Sequence, residues 1–145
     1  MITPANLATL ISNRFIIKNY IVVAPYHPNG WYKICNLTPI NNAIIDIEVV
    51  YNASSNYTGS VILSLSYADF EDKNAEIKIL SKAYASNSRK LLIDSVGIDN
   101  DNFLCIHKRT DIANDIRIYL STIKEVTDVQ QTSTTQPTRG VISID

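Results

Sequence analysis

The chain has 145 residues, 46% hydrophobic and 19% charged, which is one globular domain long enough to bury a substantial core. Thirteen basic residues against fourteen acidic give a net charge of −1, with no basic excess to draw a nucleic-acid backbone. No apolar run approaches the roughly 18 residues of a membrane-spanning helix, so no membrane insertion is expected.

Residues 1–14 read as a short helical lead-in. Thr3 is a candidate N-cap and Pro4 suits the first helical position. Leu7, Leu10, Ile11 and Arg14 then fall at helical spacing, which predicts a helix over residues 4–12. It is small and one-sided. It needs a partner, either the domain's own flank or the same helix in another subunit. The start of the chain lacks the charged, apolar and small-residue regions of a secretory leader.

Residues 15–23 form a β-rich run, and Pro25, Pro28 and the Asn29-Gly30 pair break it. A strand resumes over residues 31–37. Residues 43–67 form the ribbon around which the rest is organised. In its first arm Ala43, Ile45, Ile47 and Val49 share one face, with Asp46 and Glu48 opposite. In its second arm Val61, Leu63, Leu65 and Tyr67 share one face, with Ser64 and Ser66 opposite. Side chains of a strand alternate between two faces, so each arm has one dry face and one wetter face. A lone hairpin is not stable in water, so the remaining strands must cover the dry face.

Further strands are expected at 76–83, 90–98, 103–108 and 115–120, separated by polar turns, with residues 124–129 as a short additional candidate. Residues 130–139 are polar and low in complexity, which predicts flexibility. Residues 141–144 are left open as a terminal strand or a tail. The organisation is therefore a lead-in (1–14), a β domain (15–129) and a flexible polar C-terminal tail (130–145). Short strands at regular spacing, with connections too short for helical crossovers, predict an all-β antiparallel sandwich.

Candidate chemistry is sparse. His27 and His107 lie in separate segments with no metal-ligand spacing. Cys35 and Cys105 read as free buried thiols. The run Asp99-Asn100-Asp101-Asn102 is oxygen-rich, but it lacks the glycine and distal glutamate of a calcium loop and suits a plain turn. No GxSxG elbow or Gly-rich phosphate loop occurs. No catalytic residue, metal or cofactor is expected.

The aromatic residues carry more. Tyr26, Tyr51, Tyr57, Tyr67 and Tyr84 sit in or beside loops. A tyrosine offers a rigid apolar face and a polar tip, suited to sugar rings and protein contacts. Trp31, Tyr32 and Tyr67 are assigned to the core or a subunit contact. Tyr57, Tyr84 and His27, set among turn residues, are the candidate receptor contacts. Several strands are apolar on both faces: Phe103 and Cys105 oppose Leu104 and Ile106, and Ile44 and Val50 oppose Ile45 and Val49. A second apolar face predicts an oligomer contact, with Phe103 and Ile62 as its candidate residues.

The order of features is specific. Gly30-Trp31-Tyr32-Lys33-Ile34 is followed by Ala43-Ile44-Ile45-Asp46-Ile47, then the segment from Gly59 to Tyr67, Ile77-Lys78-Ile79-Leu80-Ser81, and the runs 103–108 and 115–120. This order resembles the jelly-roll-like C-terminal head domains of bacteriophage tail fibres, tailspikes and related trimeric adhesive fibres. The resemblance covers about residues 30–123, and Pro4-Ala5-Asn6-Leu7-Ala8 is similar to the helical lead-in before such heads. It implies a homotrimer at a fibre tip, on the virion and extracellular after release. It also implies a host-surface glycan or protein receptor, and attachment to other fibre or tail proteins. The family shares a scaffold rather than a binding motif, so no contact residue follows by position. Met1 stands close to the head, which is expected of a fragment or of a head that attaches to something else. Rival classes are a fibre-associated polysaccharide-degrading enzyme, a trimer-assembly domain and a monomeric carbohydrate-binding module. An enzyme needs an acid and base or a nucleophile converging in a cleft. A binding head needs aromatic and amide side chains at an exposed tip.

Overall fold

The computed structural model describes residues 16–38, 40–51, 57–68, 74–85 and 89–145. The expected helix over 4–12 lies outside them. The described residues form two five-stranded antiparallel sheets stacked as a sandwich. In chain order the strands are β1 (Ile17–Val23), β2 (Gly30–Asn36), β3 (Asn42–Val49), β4 (Gly59–Tyr67) and β5 (Ala75–Tyr84). They continue with β6 (Ile93–Ile98), β7 (Phe103–Lys108), β8 (Ile116–Thr122), β9 (Thr132–Thr134) and β10 (Arg139–Ser143). One sheet, here called A, has the order β1-β8-β3-β4-β5, and the other, B, has β10-β6-β7-β2-β9.

The predicted ribbon is β3 and β4. Its register pairs Ala43 with Leu65, Ile45 with Leu63 and Ile47 with Val61, so the two dry faces coincide. β8 adds Ile116, Ile118 and Leu120 on the same side. Sheet B meets them with Ile34, Val96, Ile98, Leu104 and Ile106, all buried in one continuous core. Gly59 opens β4 at φ +153°, where an added Cβ would lie 2.2 Å from the Ala83 carbonyl oxygen. Only glycine fits that close approach to β5.

The C-terminal stretch 130–145 differs from the expected flexible tail. β9 pairs with β2, Trp31 opposite Thr134 and Lys33 opposite Thr132. β10 pairs with β6, Ile142 opposite Val96 and Ser143 opposite Ser95. Of the two options left open for residues 141–144, a strand is the one that forms. β9 and β10 sit on opposite edges of sheet B, so residues 135–138 must cross it. In a flat sheet those edges are about 19 Å apart, four strand spacings. Five Cα steps span about 17 Å, so the crossing is extended and the sheet curved. Pro137 is buried over Gly97 on the outer face of the sheet. Arg139, also buried, pins the crossing by donating to the carbonyl oxygen of Asp99 from Nε (3.2 Å) and Nη2 (2.7 Å), and to the Asn102 side chain. Backbone pairing and one arginine hold a segment whose side chains read as disordered. The expected strand at 124–129 reduces to a single bridge between Asn36 and Thr127.

Candidate functional site

The register fixes which loops share an end. Val23, Val49, Gly59, Tyr84 and Ile116 align at one end of sheet A. Gly30, Ile93 and Lys108 align at the adjoining end of sheet B. The described residues leaving that end are 24–29, 50–51, 57–58, 85, 89–92 and 109–115. His27, Tyr57 and Tyr84 therefore all lie at one end of the sandwich. The register divides them into two neighbouring clusters.

His27 belongs to the first. Its ring lies 5.3 Å from that of Tyr26 and 4.7 Å from that of Tyr32. Its Nε2 donates to Gln131 Oε1 at 2.9 Å, and the same oxygen accepts the Ala24 N–H at 2.8 Å. Beneath the loop, Lys108 is buried and its Nζ donates to the carbonyl oxygens of Pro25 (2.9 Å) and His27. Burial pushes the Lys108 ammonium below its ordinary pKa, while Asp111 works in the opposite direction. The Tyr32 hydroxyl donates to Pro28 O at 2.6 Å. Asn29 joins the loop to the next one, its N–H donating to Asp111 Oδ1 and its Nδ2 to Arg109 O, both at 2.6 Å. A segment with two prolines and these tethers is a rigid platform, which lowers the entropy lost on binding.

Tyr57 and Tyr84 belong to the second. Both are half-buried against the core rather than projecting from loop tips. Tyr57 is met by the Arg109 guanidinium at 5.8 Å and Tyr84 by Lys82 Nζ at 5.7 Å. Arg109 is the member that sequence reasoning missed. It follows β7 as one of many surface-type cations, and only the folded register sets it beside Tyr57. The most exposed rings of this end are Tyr26 (80%) and Tyr51 (74%). Both belong to the loop tyrosines read from sequence, but nothing there separated them from the others. Two buried polar atoms, Thr58 Oγ1 and Asn114 Oδ1, lack a hydrogen-bond partner among the described residues, and both lie at this end.

The remaining candidates fall elsewhere. Phe103 is 8% exposed within the single chain, with Lys33 Nζ 4.8 Å from its ring centroid. Its neighbour on the outer face, Cys105, pairs with Gly97, the glycine that Pro137 covers. The second apolar face of β7 is thus met by the chain's own crossing segment. Ile62 is half-buried on the outer face of sheet A, beside Asp46 of β3. That face also carries Ile16, Tyr20, Ile44 and Ile123, each at least 41% exposed, and a shallow groove of about 390 Å³ between Ile16, Ile44 and Ile123. His107 lies on the outer face of sheet B, its Nδ1 2.7 Å from Asp94 Oδ1 and its ring 5.2 Å from Trp31. In the Asp99 turn, Oδ1 accepts the N–H groups of Asp101 (2.9 Å) and Phe103 (3.0 Å), and Oδ2 lies 3.4 Å from Lys33 Nζ. Oδ1 is thus engaged in making the turn and Oδ2 in the ion pair with Lys33 of β2. Cys35 and Cys105 are free and buried, and burial is the main cause that pushes both thiols up to about 12.

No protein-family model and no curated protein matches the chain. Among solved structures it is similar to the tailspike protein of Acinetobacter phage vB_ApiP_P1, with a TM-score of 0.47 and 12% identity. The match covers 79% of this chain and 22% of that one, so the chain spans less than a quarter of the tailspike's length.

Proposed function

We propose that this domain is the non-enzymatic receptor-binding head of a phage-type tail fibre, carried on the virion and meeting a host-surface glycan or protein with the loop end of its sandwich. The observation that carries this reading is the gathering of Tyr26, His27, Tyr51, Tyr57 and Tyr84 at that one end, on or beside loops tied to the core by Lys108 and Arg109. Rings with polar handles on rigid supports are what recognition of a sugar or a protein surface requires. The order of strand motifs from Gly30 to Leu120 supports the same reading. So do the nested pairs β1–β8 and β2–β7, which suit a jelly-roll-like ancestry with β3, β4 and β5 added as a meander.

The head works as a homotrimer in this reading, because each loop contact with a glycan is weak and three copies on one fibre compensate. The outer face of sheet A, with the tilted rings of Tyr20 and Tyr119 4.9 Å apart, is the surface assigned to that contact, in place of Phe103. Adsorption of labelled domain to susceptible cells tests the proposal. Tyr26→Ala, Tyr51→Ala, Tyr57→Ala, Tyr84→Ala and His27→Ala are compared with wild type. At least two are expected to lower adsorption by about tenfold, the effect of losing one well-packed aromatic contact. Five folded variants that all adsorb like wild type would overturn it.

A further inference from the structure

The side chain of Asp145 is held like a ligand. It is 5% exposed. Its Oδ2 accepts the Leu91 N–H at 2.7 Å and Arg109 Nη2 at 2.9 Å. Its Oδ1 accepts the Tyr84 hydroxyl and lies 4.0 Å from Lys82 Nζ. The donors come from three separate elements: the end of β5, the segment before β6 and the turn after β7. Arg109 and Lys82 are also held by bonds to the backbone. Arg109 Nε donates to Leu91 O at 2.9 Å, the Arg109 N–H to Leu92 O at 2.9 Å, and Lys82 Nζ to Ile144 O at 2.7 Å. The rings of Tyr57 and Tyr84 flank the two cations, and the exposed Arg89 and Lys90 precede Leu91.

We propose that this is a binding site for a carboxylate-bearing sugar, and that Asp145 occupies the place of the sugar's carboxylate. The inference rests on the reading of this end as the recognition surface and names the ligand class. A planar carboxylate matches donors on both of its oxygens, one of them a guanidinium. A neutral hydroxyl cannot replace that charge next to two cations. Tyr57 and Tyr84 supply apolar faces for the sugar ring. Little has to move for exchange. Ile144 is 1% exposed and its N–H donates to Asp94 O at 2.7 Å, and Ser143 Oγ donates to Asp145 O at 2.6 Å, so the backbone is anchored and exchange takes only a rotation of the Asp145 side chain.

The test is calorimetric titration of the full chain with trigalacturonic acid and with its methyl ester. Asp145→Ala removes the internal competitor and is expected to bind the acid about tenfold or more tighter than wild type, with no binding of the ester. Asp145→Asn keeps a hydrogen-bonding side chain and hence the local fold, and it too must bind the acid more tightly than wild type. Adding Tyr84→Phe to either variant must weaken the gain. Equal binding of acid and ester, or no binding of either by a folded Asp145 variant, overturns the proposal. Equal binding of an N-acetylated tri-aspartate peptide overturns its sugar specificity and points to a protein partner. These outcomes are separable from those of the adsorption assay. Absence of uronate binding in the Asp145 variants with adsorption lost in the aromatic ones removes this site alone, and tighter uronate binding by Asp145→Ala with all five aromatic variants adsorbing like wild type removes the receptor reading instead.

Discussion

Asp46 sits on the outer face of sheet A with Tyr119 and Ile62 as its cross-strand neighbours. Burial first, and then the neighbouring Glu48, raise its pKa above the ordinary aspartate value. A carboxyl whose folded pKa exceeds its unfolded one favours the fold while it is protonated. Stability is then unaffected below the unfolded value, falls as pH rises through the folded value, and stays lower above it. Asp46→Asn removes that loss, so it should raise the melting temperature at about pH 7 and leave it unchanged near pH 3. Melts at the two pH values check this, and equal shifts at both would contradict the assigned cause. Residue-scale chemistry was unevenly legible in the sequence. Tyr57 and Tyr84 stood out because rings among turn residues have few core roles. Arg109 and Asp145 did not, because their partners are distant in sequence and meet only through the register of β5, β6 and β7. Nor could sequence show that the Phe103 face is covered from within the chain.

At the scale of elements, alternation did most of the predictive work. β3, β4 and β8 alternate over a whole strand, so their faces, pairing and place in the core follow from spacing alone. The misjudged element is the C-terminal pair. β9 has three residues, all polar, and it contributes through backbone hydrogen bonds that composition does not encode. The crossing between β9 and β10 depends on Gly97, where an added Cβ would meet Pro137 Cγ at 2.7 Å and Val141 Cγ2 at 2.9 Å. Gly97→Val should therefore lift residues 135–138 off sheet B. Cys105, paired with Gly97 and held protonated by burial, is the reporter. Its reaction with a thiol reagent under native conditions should accelerate by about tenfold in the variant. An unchanged rate, with unchanged stability, would mean that the crossing does not cover this face.

For the whole molecule, the two sheet faces that point away from the core are treated differently. Sheet B has Gly97, the partner of Cys105, covered by Pro137, while sheet A leaves Tyr20, Val22, Ile44 and Ile123 at 41–58% exposure. That apolar face is the surface assigned to the proposed trimer contact. In the proposed homotrimer, Ile44→Asp should release folded monomers, since the charge is tolerated in water and costly in a contact. Light-scattering mass reads the result, and a variant that remains trimeric would exclude this face. Phe103→Asp cannot serve the same purpose, because Phe103 is buried in the single chain and the charge would act on folding itself.

The central claim is that one end of the sandwich, and not the other, meets the receptor. Hydrogen exchange of the domain, free and bound to envelope fragments of a susceptible host, tests it most directly. Protection is predicted in residues 24–29, 89–92 and 109–115, which leave the end carrying Tyr26, Tyr51 and Arg109. No change is predicted in residues 99–102 and 123–128 at the opposite end. Protection confined to that opposite end, or to the outer face of sheet A, would contradict the account.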